Sequence, residues 1–222
     1  MYNLDLNKKK QIIFDFDGLL VNSEDVIGES WLKTCDYFSI DYPEGFFDDI
    51  VGVSKKVTFE ALKAHMENPI DVETFFDRRA RFIEEAVEEG LVKLLPGVQA
   101  FLEKMHEKGV PMYIATSSSK LWPAKITEQL NIRHFFESIY GEEDDQSVKP
   151  SPDLYLKVLN EHQLSREHTV IFEDSFSGIM AATSAQVDTI VVNKIPYQFE
   201  KNNEMYILCQ VPSFNEIETD PK

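Results

Sequence analysis

The sequence predicts an α/β protein: a parallel sheet with helices on both faces, interrupted after its first strand by an inserted helical segment. Three observations predict it. From Leu94-Leu95 onward, short apolar runs alternate with stretches of helical period, the pattern that lays strands side by side with helices over them. A lone apolar run at residues 11–16 lies far upstream and has to join the same sheet. Between the two, residues 23–90 show helical spacing and no clear strand.

Taken in order, residues 12–14 read as a buried strand that stops at Asp15, and Gly18 lets the chain turn sharply. Helices are expected over residues 24–40, 55–66 and 72–89. In the last of these Phe75, Phe76, Ala80, Ile83 and Val87 form a core-facing stripe, and Glu84, Glu85, Glu88 and Glu89 a solvated face. Pro96-Gly97 opens a helix that Gly109 ends. A strand over 110–116, a helix over 121–130, a short strand over 138–140 and a helix over 152–162 follow. Strand 170–172, helix 176–185 and strand 190–192 complete the alternation, and a short terminal helix is expected over 212–217. The expected domains are an α/β core from residues 1–20 and 91–222, and an inserted helical domain from residues 21–90.

A chain of 222 residues, 43% hydrophobic, can bury one good core and a smaller second one. With 22 basic and 39 acidic residues its formal charge is −17, so its long-range field repels nucleic acid and anionic membranes, and neither is expected as a partner. Any phosphate site must therefore be locally positive. Cys35 and Cys209 are far apart and outside any Cys-x-x-Cys spacing, which argues against a disulfide framework or a zinc site and for a reducing, cytoplasmic setting. Lys8-Lys9-Lys10 before Ile12-Ile13 does not read as an export signal, because Asp15 and Asp17 interrupt the apolar run, and no run approaches membrane-spanning length. A monomer is expected.

The chemistry is concentrated at strand ends. Asp15 and Asp17, two residues apart after the first strand, can turn toward one point, and two carboxylates held that close in a water-poor cleft need a cation. Ser117-Ser118-Ser119-Lys120 follows the next strand with hydroxyl donors at a helix start. Lys149 precedes Pro150-Ser151-Pro152, and Glu173-Asp174-Ser175, with Gly178 close behind, ends the strand at 170–172. Each piece alone has an ordinary reading as a cap, a solvated lysine or a helix-opening acid. All of them lie at strand carboxyl ends, where open α/β sheets bind ligands.

Jointly these motifs resemble the haloacid dehalogenase-like hydrolases, in the branch that includes β-phosphoglucomutase and phosphoglycolate phosphatase, over residues 11–193. Asp15-x-Asp17-Gly18 matches the first family motif, Ser117 the second, Lys149-Pro150 the third, and Glu173-Asp174-Ser175 with Gly178 the fourth. The resemblance implies a Rossmann-like core with a helical cap. It makes Asp15 the nucleophile that forms an aspartyl-phosphate, and Asp17 the acid that protonates the leaving oxygen and then the base that activates water. Ser117 and Lys149 would neutralise the phosphoryl oxygens. Asp15, Asp174 and the backbone carbonyl of Asp17 would hold Mg²⁺, with Glu173 behind them, and loop amides after Gly18 and near Ser118 would add donors to the substrate.

The dehalogenase branch lacks an acid at the position of Asp17, which favours phosphate chemistry. Gly52, Ser54 and Lys55 resemble the cap loop that faces the substrate in the mutase members, with lysine where those carry arginine. Ile27 stands in place of their cap-hinge histidine, Leu19 in place of a common threonine, and Asn22 where aspartate is usual. The five histidines, His65, His106, His134, His162 and His168, fall outside the motifs. The expected activity is hydrolysis of a small phosphorylated metabolite. A sugar phosphomutase and a non-catalytic acidic interaction module stand as the alternatives.

Overall fold

The computed structural model describes residues 1–46, 55–144, 149–199 and 206–219. The chain divides into two compact units, Met1–Asn22 with Lys93–Lys222, and Ser23–Val92. In the first unit the strands are β1 (Tyr2–Asn3), β2 (Gln11–Phe14), β3 (Met112–Ala115), β4 (Ser138–Tyr140), β5 (Thr169–Glu173), β6 (Asp188–Val192), β7 (Ile207–Val211) and β8 (Ile217–Glu218). Helices α1 (Ser23–Tyr37), α2 (Lys55–Leu62) and α3 (Val72–Glu88) make the second unit, and α4 (Val98–Glu107), α5 (Leu121–Gln129), α6 (Asp153–Glu161) and α7 (Phe176–Ser184) belong to the first.

Six strands form one parallel sheet in the order β4-β3-β2-β5-β6-β7. Strand β2 is central because its residues are apolar on both sides. Ile13 packs with Tyr113, Ala115 and Ile171 against the inner faces of α6 and α7. Phe14, pointing the other way, meets Phe101 of α4 edge-on at 6.2 Å and Phe172 at 5.2 Å between ring centroids. Strands β3 and β5 are buried at every residue, as expected of a parallel sheet covered on both faces. The α/β fold with a Rossmann-like parallel sheet is as the sequence implies.

The order of strands positions the site. From β2 the chain builds outward through β3 and β4, then returns to the other side of β2 to make β5. Sheets of this kind leave room for ligand where the order reverses, at the carboxyl ends of the strands. Here those are the ends of β2, β3 and β5, with Phe14 registered on Ile114 at one side and on Phe172 at the other.

Two chain segments leave and re-enter the first unit side by side. Val21 bridges Leu94 antiparallel, Leu95 N donates to Leu20 O at 2.9 Å, and Asn22 closes a pair with Lys93. Its N–H donates to Lys93 O at 3.1 Å and its Oδ1 accepts from Lys93 N at 2.6 Å. Asparagine thus fills structurally the position where aspartate is usual.

The helical unit has its own core of Trp31, Cys35, Ile40, Phe59, Leu62 and Phe75, with the Phe75 ring 5.0 Å from Phe59 and 5.7 Å from Trp31. Helix α3 starts where Asp71 accepts from Thr74 N at 3.0 Å. Among the described residues no helix is long and apolar enough to cross a membrane.

Several expectations need correction. The terminal helix expected over 212–217 is a single 3-10 turn, Phe214–Glu216, running directly into β8, because Phe214 is pulled into the aromatic cluster around Phe14 and Phe172. Strand β7 was not expected: it lies at the sheet edge, and its Ile-Leu-Cys-Gln-Val pattern is only half buried. The helix expected over 55–66 is α-helical only to Leu62 and ends in a 3-10 turn, Lys63–His65. Gly52 and Ser54 lie outside the described residues, as does the side chain of Lys55, whose backbone opens α2.

Candidate active site

Asp15 is the first residue after β2, and its backbone N–H donates to Phe172 O at 3.0 Å, which fixes the end of β2 against β5. Its carboxylate is buried and accepts from Lys149 Nζ at 2.5 Å. The same ammonium donates to Glu173 Oε1 at 2.6 Å and to Ala115 O at 3.0 Å, so its three protons are all used, on residues from three different strand ends. Lys149 lies four residues ahead of α6, whose start is marked by Pro152.

Glu173 is the last residue of β5 and is fully buried. It accepts five hydrogen bonds. Oε1 takes Lys149 Nζ and Tyr155 OH, the latter at 2.7 Å; Oε2 takes Asp174 N at 3.0 Å and both the N–H and the Oγ of Ser175 at 3.1 Å. A carboxylate has about four lone-pair directions, so none is left over for a metal. Gly178 is what lets α7 start so close. A Cβ there would fall 1.7 Å from Glu173 Oε1. Ser175 caps α7 by accepting from Gly178 N at 3.1 Å.

Asp15, Glu173 and Asp174 each place a carboxylate oxygen so that the three lie within 4.8 Å of one another. Against these three acids stands the Lys149 ammonium, which leaves two negative charges that one divalent cation neutralises. Burial pushes the Asp15 carboxyl up to about 8, against the pull of Lys149 and with the push of Glu173 and Asp17. Burial alone would lower the ammonium of Lys149, but Asp15 and Glu173 outweigh it and hold its value well above that of a free lysine. Lys149 therefore stays charged, and without a cation it is Asp15 that takes up a proton to relieve the cluster's surplus negative charge. Hard oxygen donors with surplus negative charge fit a hard divalent cation, and Asp15 and Asp174 are the side chains placed to hold one.

Asp17 is held differently. Gly18, at φ +78°, turns the chain so that its N–H donates to Val21 O at 3.0 Å and Asp17 bridges Val21. The Asp17 carboxylate then meets the segment after β3. Oδ2 accepts from Ser118 Oγ at 2.7 Å and from Thr116 Oγ1 at 3.3 Å, and Oδ1 accepts from Trp122 Nε1 at 2.9 Å.

Of the residues singled out from sequence, Asp15, Lys149, Glu173 and Asp174 come together, and Asp17 joins Ser118 beside them. Ser117 stands exposed at the end of β3. Ser118, expected to face the substrate, instead spends its hydroxyl on Asp17 and its amide on Thr116 Oγ1 at 3.1 Å. Three participants were missed. Thr116 ends a strand and reads as core, Tyr155 lies on the apolar stripe of α6, and Trp122 is an aromatic in the first turn of α5. For Trp122 no local signal exists, since its partner is 105 residues away.

The model of the family described as haloacid dehalogenase-like hydrolase matches residues 12–192. The chain belongs to that family. It is similar to a Thermotoga maritima phosphatase of phosphorylated carbohydrates, 29% identical over 179 residues that cover 81% of this chain and 82% of the relative. It is also similar to the Escherichia coli fructose-1-phosphate phosphatase YqaB, 26% identical over 82% of this chain and 95% of the relative. Among solved structures, a Thermotoga maritima protein carrying the provisional name β-phosphoglucomutase superposes with a TM-score of 0.80 at 26% identity, over 97% of this chain and 96% of that one. The family's motifs thus coincide with the strand ends that gather the acids; the two curated relatives are named as phosphatases and the structural neighbour as a mutase.

Proposed function

We propose that the protein is a Mg²⁺-dependent phosphatase that hydrolyses a small phosphorylated metabolite through an aspartyl-phosphate on Asp15. One observation carries the reading: two carboxylates two residues apart at the end of the central strand, one tied to an ammonium in a buried acidic cluster and the other accepting from two hydroxyls and an indole N–H. The first suits a nucleophile, the second a proton carrier.

In the first step an Asp15 oxygen attacks phosphorus as the bond to the leaving oxygen breaks, and Asp17 gives that oxygen its proton. In the second, water gives a proton to Asp17 and its oxygen attacks phosphorus, the bond to Asp15 breaks, and inorganic phosphate leaves with both aspartates restored. Lys149, bonded to Asp15, supplies positive charge where the phosphoryl oxygens would lie, and the exposed Ser117 hydroxyl can donate to them. Asp15, Asp174 and the backbone carbonyl of Asp17 would hold Mg²⁺, whose part is to neutralise charge on the phosphoryl group. Glu173, with all its acceptor directions used, orients Lys149 and the start of α7.

The dehalogenation branch has no leaving oxygen to protonate, so a carboxylate at position 17 supports the phosphatase over it. The inserted helical unit, with its own core and paired connections at Asn22 and Lys93, suits a cap that selects among substrates. The test is phosphate release from a panel of sugar, polyol and glycolate phosphates, with Mg²⁺ and with excess chelator. Turnover that needs Mg²⁺ is expected. Full turnover in chelator, or rapid isomerisation of β-glucose 1-phosphate with negligible phosphate release, would overturn the proposal.

A further inference from the structure

We infer that Trp122 is a positioning residue for Asp17, and that together with Ser118 and Thr116 it decides which oxygen of Asp17 carries the moving proton. The inference rests on the phosphatase reading above. An indole N–H can only donate, so Oδ1, at 2.9 Å from Trp122 Nε1, has to present a lone pair to it. Hydroxyls differ. The Ser118 Oγ at 2.7 Å and the Thr116 Oγ1 at 3.3 Å can each rotate and accept, so Oδ2 can hold a proton without losing its partners. The asymmetry assigns the proton of the acid form to Oδ2. It also fixes the plane of the carboxyl group, because the two oxygens are gripped from different places: one from the first turn of α5 and the other from the segment that follows β3.

The contact is built by the fold rather than by a mobile tip. Trp122 N donates to Ser119 O at 3.0 Å, and Ser118 O accepts from Glu142 N at 3.0 Å, so the turn that carries Ser118 and Trp122 is pinned to the segment after β4. Gly141, at that same place, has no room for a side chain: a Cβ would lie 2.3 Å from Lys120 N. Movement of the turn is thereby restrained, and Asp17 is restrained with it. The proton balance is the one already written: from Oδ2 to the leaving oxygen as the first P–O bond breaks, then from water to Oδ2 as the second phosphorus bond forms.

The test is Trp122→Phe, which keeps the ring and removes the N–H, assayed on an alkyl ester and on p-nitrophenyl phosphate. An alkoxide must be protonated to leave, whereas p-nitrophenolate leaves without help. A correctly placed acid is worth about 10²–10⁴-fold and loosening it forfeits part of that, so kcat on the alkyl ester should fall about ten-fold with KM little changed. The aryl ester should lose less than about three-fold. The ratio of the two losses does not depend on how much of the variant is folded. Equal losses on both esters, or none on the alkyl ester, would overturn the assignment. A second readout is independent of turnover. The chain has only two tryptophans, so the indole N–H resonances of Trp31 and Trp122 can be told apart, and Asp17→Ala should move one of them strongly. An unmoved pair would contradict the contact itself; a moved resonance in a protein that hydrolyses neither ester would contradict the phosphatase reading instead.

Discussion

Asp15 and Asp17 are separated by one residue, yet the protein surrounds them in opposite ways. Around Asp15 everything is buried and charged: an ammonium at 2.5 Å, and two further carboxylates whose oxygens lie within 4.8 Å. Asp17 accepts from neutral, partly buried donors, two hydroxyls and an indole. An ammonium within hydrogen-bond reach fixes a carboxylate in one place, which a nucleophile needs. Neutral hydroxyls can donate or accept, which a group that gives up a proton and takes one back needs. The division also explains why Glu173 has no free acceptor direction. Its work is to hold Lys149, and through it the nucleophile.

The comparison can be broken first on the charged side. Asp15→Asn should reduce turnover at least about a thousand-fold while leaving circular dichroism unchanged, because the nucleophile is lost and not merely misplaced. The same change should stabilise the metal-free protein, in a pH-dependent way. A carboxyl whose folded value is about 8, above its ordinary 3.8, contributes stability that is complete below about 4 and is lost as pH rises through 8. Asparagine has nothing to lose in that window. The melting temperature of the variant should therefore exceed that of wild type by a margin that grows from pH 5 to pH 8, measured in chelator. A margin that shrinks with rising pH would contradict the account of the surplus charge.

On the neutral side, Asp17→Asn should cost about 10²–10⁴-fold on an alkyl phosphate and far less on an aryl one, with little change in melting temperature. Equal losses would show that Asp17 binds rather than transfers a proton. Lys149→Met comes next. Removing one partner of a buried ion pair leaves uncompensated charge and costs about 3–5 kcal/mol, so chemical denaturation should show a lower midpoint at pH 8, with Mg²⁺ restoring part of the loss. The smallest effect belongs to Ser118→Ala, which removes one hydroxyl donor to Asp17. It should cost about 1 kcal/mol or less in stability and lower kcat only a few-fold, again more for alkyl than for aryl esters.

What could be read from the sequence and what could not follows the same line between local and distant signals. Asp15, Lys149, Glu173 and Asp174 each stand beside a strand end or a helix start, and those are marked locally by apolar runs, glycine and proline. Trp122, Tyr155 and Thr116 carry no such mark. An aromatic on a helix and a threonine ending a strand look like core, and Tyr155 is in fact buried there while its hydroxyl reaches Glu173. Strand β7 was missed because an edge strand with Cys209 and Gln210 lacks the continuous apolar run of β3 or β5. The terminal helix was wrongly expected because Pro212-Ser213 is a good helix start. Packing of Phe214 against Phe172, ring centroids 5.4 Å apart, decided otherwise.

The central claim is that phosphorus becomes bonded to Asp15 during turnover. The direct measurement is to mix the protein and Mg²⁺ with a labelled phosphate ester, quench in acid within the turnover time, reduce with borohydride and locate the modified residue by peptide mass spectrometry. Borohydride converts an aspartyl-phosphate to homoserine, and the account predicts that conversion at position 15 in the active protein and its absence in Asp15→Asn. Conversion at another residue, or none at all in a protein that is releasing phosphate, would contradict it.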